Sequence, residues 1–64
     1  MKEAKKSYYI IAHYTESPDR IAQAAEHFDS LKDARAKARR YQGYDVYRVD
    51  EIGGSVAYVY KMKS

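Results

Sequence analysis

Between Ser7 and Thr15 both alternating faces of the chain carry bulky groups: Tyr8, Ile10, Ala12 and Tyr14 on one side, Tyr9, Ile11, His13 and Thr15 on the other. Aromatic and β-branched residues at this density predict a strand. Apolar groups on both sides place it centrally in a sheet, or under a cover on its second side. After a break at Glu16-Ser17-Pro18-Asp19-Arg20, the period changes. Leu31, Ala34, Ala38 and Tyr41 recur at spacings of three and four, which predicts a helix with one stripe against the sheet. Ser30 is its N-cap with Asp33 three residues later, a capping-box arrangement; Asp29 is the alternative cap. Gly43 is expected to close the helix, because glycine accepts the left-handed backbone of a C-terminal cap.

Alternation returns in Tyr44 to Glu51 and Val56 to Met62, joined by Ile52-Gly53-Gly54-Ser55. Paired glycines supply the positive φ angles of a two-residue hairpin turn. That turn sets Ile52 opposite Ser55, Val49 opposite Tyr58 and Tyr47 opposite Tyr60. One face then holds Tyr47, Val49, Val56, Tyr58 and Tyr60, and the other Val46, Arg48, Asp50, Ala57, Val59 and Lys61. A three-residue loop would exchange the faces of the last strand and put Ala57 and Val59 beside Val49. Pro18 suits a β-turn or the first position of a helix capped by Ser17. Ile21 to Phe28 remains open between a short helix and a strand, since its alanines favour helix but its apolar stripe is poor.

The pattern describes an α+β fold, β-(β)-α-β-β, with an antiparallel sheet of three to four strands and one α-helix packed on one face. Residues 1–64 form a single domain. One helix covers one face of such a sheet, so the other face meets solvent or a partner. With eight tyrosines in the chain, some are expected on that open face, where a rigid ring with a polar tip suits an interface.

Composition narrows the function more by exclusion than by assignment. A core of this size leaves little apolar material for an enclosed substrate cavity, so no enzymatic activity is expected. The absence of cysteine rules out disulfides, thiolate metal sites and a cysteine nucleophile. The opening Met1-Lys2-Glu3-Ala4-Lys5-Lys6 is unlike a signal peptide, and no apolar window is long enough for a membrane span. The expected location is the cytoplasm. The net charge of +3 is unevenly spread. Residues 30–42 carry Lys32, Arg35, Lys37, Arg39 and Arg40 against Asp33 alone, whereas residues 16–29 and 44–52 are acidic. A cationic helix between acidic stretches points to a polyanion or an acidic protein surface.

No set of residues suggests catalysis, a metal or a cofactor. His13 and His27 lack ligand spacing with each other or with cysteine. Asp50 and Glu51 are strand neighbours that point to opposite faces, so they are expected to form a solubilising rim rather than an acid and base pair. Gly53-Gly54 lacks the lysine and the following helix of a phosphate loop. The candidate binding residues are therefore Lys32, Arg35 and Arg39, grouped to one side of Ala36 on a helical wheel, with Arg40 beyond them and Arg48 on the following strand. Arginine forks recognise phosphate or carboxylate bidentately. Direct nucleic-acid binding is one expectation. The chain has neither a helix-turn-helix layout nor the aromatic signature of RNA-recognition strands, and a few phosphate contacts give weak, salt-sensitive binding.

Tyr9-Ile10-Ile11, Ser30-Leu31 with Ala34-Arg35, Val46-Tyr47-Arg48-Val49-Asp50 with Gly54, and Ala57-Tyr58 together resemble small phage and mobile-element proteins, among them anti-CRISPR proteins directed at type I surveillance complexes. The resemblance implies a non-enzymatic inhibitor, in the host-cell cytoplasm, whose basic residues occupy a nucleic-acid-binding surface of the CRISPR complex. It also favours a strand over Ile21 to Phe28. Arg35 matches a basic position of that pattern, and Ala36 departs from it where a second basic residue is expected. The partners expected are thus a protein or nucleoprotein complex, nucleic acid, or a second copy of the chain through the open sheet face.

Overall fold

The computed structural model describes residues 5–13, 15, 17–22 and 24–62. Its elements are β1 (Lys5–His13), α1 (Pro18–Ile21), α2 (Leu31–Ala38), β2 (Tyr44–Ile52) and β3 (Ser55–Lys61). The three strands form one antiparallel sheet in the order β1-β2-β3, which establishes a small α+β fold. Tyr14, placed by pattern on the first strand, lies outside the described residues.

The central strand is β2, not β1. β1 pairs along its length with β2, Tyr8 opposite Val49 and Ile10 opposite Tyr47. Among the described residues its other edge is met at one point, where Tyr9 and Phe28 exchange backbone hydrogen bonds of 2.9 and 2.8 Å. β1 is apolar on both sides because both sides are covered. On one face Tyr8, Ile10, Ala12, Tyr47 and Val49 form the core with Ala22, and Ile21, Ala25, Val56 and Val59 pack around it. The cover on this face comes from α1 and the residues after it. Ser17 holds the N-cap position and Pro18 starts the helix, using proline's fixed φ where no N–H is needed. Among the described residues of this stretch, Ile21 ends α1, the Ala24 and Ala25 N–H groups donate to the Ile21 carbonyl in a turn, and Phe28 contributes a single bridge in place of a second strand.

α2 contacts both β1 and β2. Ala34 is completely buried, and Arg35, Ala38 and Arg39 share a cleft with Tyr44, Val46 and Met62, which lie on the sheet face opposite the core cluster. The helix is shorter than its periodicity suggests. After Ala38 the backbone tightens to three-residue bonds, Arg40 N–H donating to the Lys37 carbonyl and Tyr41 N–H to that of Ala38. This rotates Tyr41 off the apolar stripe, leaving it 46% exposed. Gly43, at φ +82°, serves the turn into β2 instead of capping the helix.

The Gly53-Gly54 turn has positive φ at both residues, 62° and 83°, and pairs Ile52 with Ser55 as expected. The register then shifts between Asp50 and Glu51. Glu51 faces Val56 and Asp50 faces Tyr58, so Ala57 is the extra residue of a β-bulge. The bulge reverses the side-chain alternation. Val59 lies opposite Val49, Tyr60 opposite Arg48 and Lys61 opposite Tyr47. Val56 and Val59 thereby both reach the core, while Tyr58 and Tyr60 turn to the face of Arg48 and Asp50.

Candidate functional site

The start of α2 is fixed by Ser30, whose Oγ accepts from the backbone N–H groups of Lys32 at 3.1 Å and Asp33 at 3.4 Å. With the first turn anchored, helical spacing carries Lys32, Arg35 and Arg39 to one side. They line a shallow depression with Leu31 and Ala36, in which the small alanine side chain lowers the floor. Arg35 and Arg39, neighbours at i and i+4, also line the cleft of about 320 Å³ toward Tyr44, Val46 and Met62. The two arginines thus form the wall between a depression on the helix and a cleft on the sheet. Asp45 also lines that cleft, with its Oδ2 3.7 Å from Lys61 Nζ.

The structure brings together Lys32, Arg35 and Arg39 but not all five candidate cations. Arg40 lies past the helix, in the turn that begins at Arg39. Arg48 projects from β2, where its Nε donates to Asp50 Oδ1 at 3.2 Å and its guanidinium lies 5.9 Å from the Tyr60 ring centroid. It adjoins the cleft through Val46, two residues away on the same face.

Tyr58 and Tyr60, expected beside Val49 from the two-residue hairpin register, lie instead on the Arg48 and Asp50 face because of the bulge, and complete this surface with Tyr41 and Tyr44. Tyr41, Tyr44, Tyr58 and Tyr60 are all exposed. The Tyr58 and Tyr60 rings lie 6.1 Å apart with planes inclined at 27°, and Tyr41 and Tyr44 are 5.5 Å apart and tilted. Lys37 Nζ lies 5.9 Å from the Tyr41 ring. The surface therefore combines cations with accessible aromatic faces.

Asp50 and Glu51 do not form an exposed rim. Asp50 is only 3% exposed; Ser7 Oγ donates to its Oδ1 at 2.8 Å beside Arg48. The Ser7 hydroxyl and the guanidinium hold the Asp50 carboxyl below its usual pKa. On the opposite face Tyr8 Oη donates to Glu51 Oε2 at 2.6 Å, and burial followed by this carboxylate pushes the phenol's pKa up. His27 stacks on Tyr8 with centroids 4.0 Å apart and donates from Nε2 to the Ala22 carbonyl at 2.6 Å. His13 packs edge-on against Tyr44. Both histidines thus have packing roles. Among the described residues no group of three His, Cys, Asp or Glu could hold a metal ion, and no helix is long and apolar enough to cross a membrane.

No protein-family model, curated protein or solved structure matches the chain.

Proposed function

We propose that this chain is a non-enzymatic nucleic-acid-binding protein that grips phosphates with the Lys32, Arg35 and Arg39 side of α2. The supporting observation is that these three cations border one depression floored by Ala36, so a phosphate backbone can approach the helix closely. In this reading α2 packs its Ala34 and Ala38 side over the Val46 end of the sheet and turns its basic side outward. Arg40 and Arg48 extend the positive field at either end. Three phosphate contacts correspond to weak binding, with dissociation constants of about 10⁻⁴–10⁻⁶ M at physiological salt. Fluorescence anisotropy with a labelled oligonucleotide tests this. Log affinity should fall linearly with log salt at a slope of about −2, from roughly −0.7 per contact on a single strand. Absence of binding at low salt, or affinity independent of salt, removes the reading.

The exposed tyrosines support a second reading, an inhibitor of a type I CRISPR surveillance complex. A nucleic-acid-binding surface on such a complex is itself cationic, so Lys32, Arg35, Arg39 and Arg40 would meet like charge unless they contacted bound RNA or an acidic patch. Affinity capture of a CRISPR effector subunit that persists after nuclease treatment would favour the inhibitor over direct nucleic-acid binding.

A further inference from the structure

We infer that the outer face of the β2–β3 hairpin is a base-stacking platform, so that the ligand of the basic helix is single-stranded nucleic acid. The inference rests on the proposed phosphate-binding role of α2 and specifies what that surface takes. Tyr58 and Tyr60 are 57% and 46% exposed and stand on the same face of β3, with rings 6.1 Å apart and inclined by 27°. The bulge at Ala57 puts them there, beside Arg48 and away from the core. About half of each tyrosine is open to solvent, so an unpaired base can stack on the exposed ring surface, with the Arg48 guanidinium 5.9 Å from the Tyr60 centroid beside it, a mode of recognition that tolerates any sequence.

Three features connect this platform to the helix. Met62 follows Tyr60 on the same face, and its backbone N–H donates to the Val46 carbonyl at 2.9 Å. Met62 and Val46 in turn line the cleft walled by Arg35 and Arg39. A strand laid along β3 can therefore place bases on Tyr58 and Tyr60 and carry its phosphates to the arginines of α2. Asp50, the acid on this face, is covered and bonded to Ser7 and Arg48, which reduces its repulsion of a phosphate. A duplex keeps its bases stacked within itself and cannot use the tyrosines in this way.

The test compares a labelled oligodeoxythymidylate with a duplex of equal length, using the wild-type protein, Tyr58→Leu/Tyr60→Leu and Tyr58→Phe/Tyr60→Phe. Leucine keeps apolar bulk on the strand and removes the ring; phenylalanine keeps the ring. The expected result is a loss of about tenfold or more in single-strand affinity for the leucine pair. Duplex affinity should be unchanged, and the phenylalanine pair should behave as wild type. Circular dichroism confirms that each variant is folded; if the leucine pair is not, Tyr60→Leu alone replaces it. Equal affinity of the leucine variant and wild type for the single strand, or an equal loss for strand and duplex, overturns the stacking platform while leaving phosphate binding by α2 in place. Failure of the wild type to bind either ligand overturns both.

Discussion

Ser7 and Asp50, 43 residues apart in the chain, meet across β1 and β2 with Ser7 Oγ 2.8 Å from Asp50 Oδ1. The same carboxylate takes Arg48 Nε at 3.2 Å, so one buried acid ties the edge strand to the central strand and holds a guanidinium against the Tyr60 ring. Because the folded state lowers the Asp50 pKa, the unfolded chain binds more protons as the carboxyl titrates. This contribution to stability is therefore present above the unfolded pKa and is lost as pH falls through the folded value. Urea denaturation of wild type and Asp50→Asn should differ at neutral pH and converge in strong acid. A gap that stays constant with pH would contradict this linkage.

Tyr8 has the opposite sign. Its phenol is raised above the ordinary value of 10.0, first by burial and then by Glu51. Stability from the neutral phenol is complete below the unfolded pKa and declines as pH rises from there toward the folded value. Tyr8→Phe, which removes the 2.6 Å bond but keeps the ring on His27, should cost about 1 kcal/mol and lower Tm by about 4–8 °C. Its alkaline loss of stability should be shallower than that of wild type.

Two of the turn glycines, Gly43 and Gly54, separate backbone strain from crowding. Gly43 and Gly54 share nearly the same φ, 82° and 83°. A Cβ at Gly54 meets nothing within 4 Å, whereas one at Gly43 would stand 2.8 Å from His13 Nε2. Gly54→Ala should cost about 1 kcal/mol from strain alone, and Gly43→Ala up to about 3 kcal/mol. Adding His13→Ala to Gly43→Ala should return part of the difference in a double-mutant cycle measured by thermal unfolding. Additive costs would show that the imidazole is not the obstruction.

Local chemistry was legible in the residues, and long-range arrangement was less so. Ser30 and the Gly53-Gly54 pair act through their own backbone neighbours, so the start of α2 and the hairpin turn follow from sequence. The end of α2 does not: Tyr41 continues the apolar spacing, but the backbone tightens after Ala38 and turns it outward. Nothing around Ala57 signals a bulge, which is favoured by the packing of Val56 and Val59 around the core. That single extra residue moves Tyr58 and Tyr60 onto the Arg48 face. Half of the candidate surface thus depends on a register shift, whereas its cations could be read from helical spacing. The covered Asp50 was hidden for a related reason, since Ser7 reaches it only through strand pairing.

The salt dependence of oligonucleotide binding by Arg35→Gln/Arg39→Gln decides whether this side of α2 grips phosphates. Arg35 on α2 and Arg39 at its C-cap are exposed residues, and glutamine retains most of arginine's helix propensity, so the variant should remain folded. With two phosphate contacts removed, the slope of log affinity against log salt should become shallower by about 1.4, alongside weaker binding at low salt. An affinity and slope indistinguishable from wild type would contradict the assignment of this helix face to nucleic acid.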